Sequence, residues 1–150
     1  MEPVAIIVAA LVAGAAAALK STAEQAIKDV YASFKALIQS KYGNIASMEA
    51  LERKPDSETK QLSVREDLTD ARAGEDQELL DRAKVLLDAV KAHDRAAAAQ
   101  LNINLDEIEA AYFKLKDAAA EGNVNVAVKK GAFSGGTDME GLTAGTPGKK

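Results

Sequence analysis

The sequence has no cysteine and no tryptophan, one histidine, three tyrosines and three phenylalanines in 150 residues. Without cysteine there is no disulfide, no thiolate metal site and no Cys nucleophile, and the chain fits a reducing cytosol. One histidine leaves few side chains that titrate near neutrality. Aromatics are 4% and much of the 47% hydrophobic content is alanine, which builds helix but buries little area, so a thin core is expected. There is no excess of positive charge: the net charge of −4 argues against a nucleic-acid binder. Nor is there a basic segment ahead of the first apolar run. Glu2 precedes it and Lys20 is the first basic residue, so a cleaved signal peptide is not expected.

What the chain does have is an uncharged run, V-A-I-I-V-A-A-L-V-A-G-A-A-A-A-L, from Val4 to Leu19. Pro3 stands where a first helical turn accepts proline. As a helix rising about 1.5 Å per residue, the run spans roughly 24 Å, short of the ~30 Å hydrocarbon core of a bilayer. Val4, Ile7, Val8 and Leu11 share one face. Ala10, Gly14 and Ala18 form a stripe of small residues that admits another backbone, in a membrane or in a protein core. A small protein must bury such a helix at its centre or place it in lipid.

The next segments are helical by periodicity. Ser21-Thr22-Ala23-Glu24 is a capping-box pattern that starts a second helix or lies inside one long helix through Lys41. Ile27, Val30, Phe34, Leu37 and Ile38 make an apolar face with Tyr31 at its edge, and Gly43 is a stop. A short helix is expected over 44–54 and a polar, weakly periodic one over 57–73. A stronger one is expected over 75–97, lined by Leu79, Leu80, Ala83, Leu86, Leu87 and Val90. The last, over 106–120, turns Ile108, Ala111, Tyr112, Leu115 and Ala118 inward and stops at Gly122.

From Gly122 the composition changes. Asn123 to Lys129 alternates with period two, which predicts a strand, and six further glycines punctuate the rest. The tail 122–150 carries a net +2 and the body −6. A valine-alternating segment outside a core has unpaired edges, and copies stacked in register would satisfy them. A disordered tail or a local hairpin is the plainer alternative.

No catalytic constellation emerges. His93 in K-A-H-D-R reads as a surface residue near a helix end. The acidic run Glu66, Asp67, Asp70, Glu75, Asp76, Glu78 and Asp81 lacks calcium-loop spacing and reads as a solvated face. Gly131 to Gly136 lacks the Gly-Lys-Ser/Thr ending of a phosphate loop. The expectation is a non-enzyme without metal or cofactor.

The two ends match a known pattern. V-A-A-L-V-A-G-A-A-A-A-L-K-S-T-A (8–23) with A-I-K-D-V-Y-A (26–32) resembles the Bell domain of bacterial immune proteins. The segment G-N-V-N-V-A-V-K-K-G-A-F-S-G-G-T-D-M-E-G-L-T-A-G (122–145) resembles the amyloid signalling motifs that follow Bell domains. The resemblance covers 1–42 and 105–145 and is similar in logic to fungal HeLo-type bundles. It implies an all-α bundle over 1–121 that hides its first helix, and a signalling tail over 122–150, flexible at rest. It implies a cytoplasmic resting protein and a nucleotide-binding oligomerising receptor with a matching motif. It further implies homo-oligomerisation through the tail, and insertion into membrane lipids that kills the cell in bacterial, antiphage immunity. The membrane-active residues would be Val4, Ile6, Ile7, Val8, Leu11, Val12, Gly14 and Leu19. The templating strand would use Val124, Val126, Val128, Phe133, Met139 and Leu142. The competing expectation is a soluble helical adaptor whose first helix is permanent core and whose tail is a partner-binding strand.

Overall fold

A computed structural model describes residues 1–43 and 45–131, with only the backbone described for Ala46 and for 120–131. Its helices are α1 (Pro3–Ala18), α2 (Gln25–Tyr42), α3 (Ala46–Arg53), α4 (Glu58–Asp70), α5 (Gln77–His93), α6 (Arg95–Gln100) and α7 (Leu105–Gly131). A single 3-10 turn, Ala73–Glu75, joins α4 to α5. The all-α class expected from periodicity is what the described residues show. The chain divides after Tyr112 into a unit Met1–Tyr112 and a second unit that begins at Phe113.

α1 is the centre of the first unit. It packs against α2, α3, α4, the 3-10 turn, α5 and α6. Twelve of its sixteen residues are buried, on every side of the helix. A helix that is apolar all round has no face to offer water, so its neighbours must enclose it. The surrounding helices turn one face inward: Ile27, Tyr31, Phe34 and Ile38 from α2, Val64 and Leu68 from α4, and Leu79, Leu80, Ala83, Leu86, Leu87 and Val90 from α5. Each buried Val, Ile or Leu contributes about 1.5–3 kcal/mol. The six large side chains buried on α1 therefore supply on the order of 10 kcal/mol, comparable to the whole stability of a domain this size.

Gly14 sets the closest approach. A Cβ built there would lie 2.7 Å from Leu86 Cδ2 and 3.0 Å from Tyr31 Cδ1, so α5 and α2 sit against bare backbone. The small-residue stripe thus receives protein neighbours in the folded unit.

The expected helix over 75–97 is broken at Asp94. Its Oδ1 accepts from the Ala97 N–H at 3.2 Å and starts α6, so a capping aspartate overrides the apolar periodicity across it. The capping box at Ser21–Glu24 does not form: Glu24 itself is the N-cap of α2 and makes no side-chain capping bond. The largest correction concerns the tail. The strand expected over 123–129 is helical, because α7 runs through Gly122 to Gly131. An alternating pattern makes a strand only with a partner strand. A nucleated helix extends cheaply, and one glycine costs it only about 1 kcal/mol.

Gly14→Val should lower stability by about 1–3 kcal/mol through overpacking against Leu86 and Tyr31, with only a few tenths returned by helix propensity. Urea unfolding measures this. A midpoint at or above that of the parent chain would contradict the close packing of α1 on α5.

Candidate functional site: a sheathed apolar helix

The expected membrane-active residues fall together. Val4, Ile6, Ile7, Val8, Leu11, Val12 and Gly14 all lie on α1 and all are buried. Leu19 stands apart: it follows the last turn of α1 and is 53% exposed. The enclosure of the other seven is made by the side chains described above and completed by polar ties at the rim.

The Tyr31 hydroxyl, at the edge of the face that packs on Gly14, donates to Glu52 Oε2 at 2.6 Å, and Lys35 Nζ donates to Glu52 Oε1 at 2.9 Å. This three-residue network joins α2 to α3 beside α1. Burial first, then the hydrogen bond and negative charge of Glu52, pushes the Tyr31 phenol far above its usual range. No local pattern announces Glu52 as the partner of Tyr31, twenty-one residues away.

At the other end of α2, Asp76 Oδ2 accepts from Lys41 Nζ at 2.7 Å and from the Tyr42 hydroxyl at 3.0 Å. Its Oδ1 caps α5 by accepting from the Leu79 N–H at 3.1 Å. Burial alone would raise the Asp76 carboxyl, but Lys41, the Leu79 amide and Tyr42 together hold it below its usual value. Asp76 and Glu78 hold the Lys41 ammonium above its own. Tyr112 donates to Asp81 Oδ1 at 2.7 Å, and Lys84 Nζ lies 5.8 Å from its ring centre. Part of the acidic run is therefore structural: Asp76 and Asp81 accept from tyrosines, and Asp67 accepts from Ser47 Oγ at 2.5 Å. Among the described residues no group of three or more His, Asp or Glu side chains could hold a metal.

Each end of α1 carries a charge pair. Glu2 meets Arg65 at 3.0 Å at the start, and Lys20 meets Asp94 Oδ2 at 2.9 Å just past the end. His93 is an exposed residue at the end of α5, as expected, and its Nδ1 lies 3.1 Å from Glu24 Oε1.

Among the described residues no helix is long and apolar enough to cross a membrane. Of the expected templating residues, Val124, Val126 and Val128 lie within α7, while Phe133, Met139 and Leu142 lie outside the described residues.

The model of one family, the Het-E N-terminal domain, matches residues 1–132, and the chain belongs to that family. The family is a HeLo-like, cell-death-related fold. No curated protein and no solved structure matches the chain.

All three tyrosines of the sequence are raised, each by burial first and then by a carboxylate partner, Tyr112 to about 12. A phenol with a raised folded-state pKa contributes stability that is complete below its unfolded value near 10 and is lost as pH climbs through the folded value. Spectrophotometric titration should therefore show Tyr31 and Tyr112 un-ionised at pH 10 and Tyr42 ionising above its ordinary midpoint in the folded protein, with stability falling from pH 10 upward. A tyrosine titrating with an ordinary midpoint would contradict these buried hydroxyl–carboxylate bonds.

Proposed function

We propose that this member of the Het-E N-terminal domain family is a membrane-targeting cell-death effector that keeps α1 sheathed at rest and delivers it to lipid when its C-terminal segment assembles. The observation that carries the proposal is the burial, on every side, of an uncharged helix by neighbours that turn one face inward. A protein that needed only a core could have built it from amphipathic helices. One that keeps an apolar cylinder has a segment able to exchange a protein sheath for a lipid one.

The Bell-type reading of the chain belongs to this proposal. So does an oligomerising receptor that presents a matching strand to residues 122–150. The C-terminal segment would have to convert for this purpose, because Val124, Val126 and Val128 start in a helix. Stacking copies would satisfy the backbone between chains, and the alternating valines would form a dry seam. Clustering would then bring several copies of α1 to one patch of membrane. At sixteen residues α1 reaches about 24 Å, so it would sit obliquely in the outer part of a bilayer or span a locally thinned one.

A second reading has an observation in its favour. The close fit of Gly14 on Leu86 and Tyr31 also suits an α1 that never leaves, in a helical adaptor. One experiment separates the two. The chain has no cysteine, and a Cβ at Gly14 lies 3.1 Å from Leu86 Cγ. Leu86 Cβ is bonded to that Cγ and so lies within about 4.6 Å, close to the roughly 3.5–4.5 Å that a disulfide spans. Leu86→Cys also removes the nearest atom to Gly14→Cys and leaves Tyr31 Cδ1 at 3.0 Å as the contact that must give. The test seeds full-length protein with fibres of a peptide spanning 122–150 and follows dye release from vesicles. Release is expected from the parent chain and from the reduced double variant, and not from the oxidised one. Equal release from the oxidised variant would show that α1 stays in place. Seeds that trigger none with the parent chain would remove the templating step.

A further inference from the structure

Every break between consecutive helices from α2 to α7 has a local device. Gly43 ends α2 at φ +79, Ser57 caps α4, and Arg72 at φ +60 with the Asp76 cap turns the chain into α5. Asp94 caps α6, while Asn102 at φ +58 and the Asn104 side chain, accepting from the Glu107 N–H at 3.1 Å, open α7. The break between α1 and α2 has none of these. Leu19 to Glu24 reads L-K-S-T-A-E, with no glycine and no proline. None of its residues has a positive φ. Glu24 makes no side-chain capping bond. Leu19, Lys20, Ala23 and Glu24 are strong helix formers while Ser21 and Thr22 favour a turn, so the segment can continue the helix as well as bend.

One local bond, from the Ala23 N–H to the Lys20 carbonyl at 3.1 Å, closes the turn, and two side-chain ties hold it from outside. Lys20 Nζ donates to Asp94 Oδ2 at 2.9 Å, and His93 Nδ1 lies 3.1 Å from Glu24 Oε1. Both straps run from the α1–α2 turn to the corner between α5 and α6. Asp94 divides its two oxygens between two tasks: Oδ1 caps α6 and Oδ2 takes Lys20.

We propose that Leu19–Glu24 is a hinge held bent by the Lys20–Asp94 and Glu24–His93 straps, and that losing them lets α1 and α2 join into one continuous helix from Pro3 to Tyr42. The joined helix would be about 60 Å long and would carry the apolar run at its free end, clear of the α5 face. Its geometry stands on the hinge alone. Its use, placing that end in lipid, rests on the membrane reading above.

Two variants loosen the straps with little risk to folding. Asp94→Asn keeps a carbonyl oxygen for the cap of α6 and loses the acceptor for Lys20. Lys20→Gln combined with Glu24→Ala removes both straps and leaves Asp94 and its cap untouched. Because the chain has no cysteine, Glu2→Cys and Ser40→Cys can carry a single pair of spin labels in the parent and in both variants. Pulsed EPR reads the distance between them with vesicles of phosphatidylcholine and phosphatidylglycerol, and dye release is followed in parallel. A joined helix sets the labels about 57 Å apart. The population at that distance should rise about two- to fivefold over the parent chain in both variants, the scale of a part-exposed ion pair. A distribution unchanged by both variants would overturn the hinge, whether or not the vesicles leak. Leakage with an unchanged distribution leaves the membrane reading standing without it. A long-distance population without leakage supports the hinge and removes the membrane reading.

Discussion

The structure depends on burying one helix that has nothing polar to show water. An amphipathic helix can be docked by a single neighbour. α1 needs partners all round, and it obtains them from α2, α3, α4, α5, α6 and the 3-10 turn. This one demand fixes the faces of α2, α4 and α5, because each must turn a stripe of larger side chains toward a cylinder that is half alanine. It explains how a chain so poor in aromatics folds: the alanines and Gly14 let neighbours approach closely, and density replaces bulk.

The same demand makes the fold conditional. The side chains on α1 supply on the order of 10 kcal/mol of burial, a sum similar to the net stability of a domain. Without α1, α2 still meets α5 and α3 still meets α4, but the centre they enclose would be empty. The polar ties at the rim matter for that reason. Glu52 and Asp94 each serve two partners and Asp76 three, and each ties together elements that surround α1. They add little to the burial free energy and define which surfaces must part if α1 is to leave.

Much of this was legible in the sequence and some of it was not. Val4 to Leu19 announced a helix that is buried or inserted by composition alone, and Leu79 to Val90 announced the face that covers it by periodicity. Asp94 was read through as part of one helix because an apolar period of 3.6 does not register a capping side chain. The strand at 123–129 was misread because alternation reports a preference and not the presence of a partner, and α7 was already there to extend. Leu19 was counted with the apolar run, but the run outlasts the helix by one residue. Glu52, Lys20 and Asp94 gave no signal, since their partners lie 21, 74 and 74 residues away and only the fold brings them together. The match to the Het-E N-terminal domain over residues 1–132 places the helical part of the resemblance in a HeLo-like family.

The central claim is that α1 and α5 share one core at rest and part company on a membrane. Amide hydrogen exchange, compared with and without vesicles after seeding, tests it directly. In buffer the amides of Ile6 to Ala13 and of Leu79 to Val90 should open together, at the rate of global unfolding. On vesicles they should diverge, with α1 remaining protected and α5 losing protection. Exchange of α1 ahead of α5 in buffer would contradict the claim that α1 is the common core. Identical protection of both helices with and without vesicles would contradict its release.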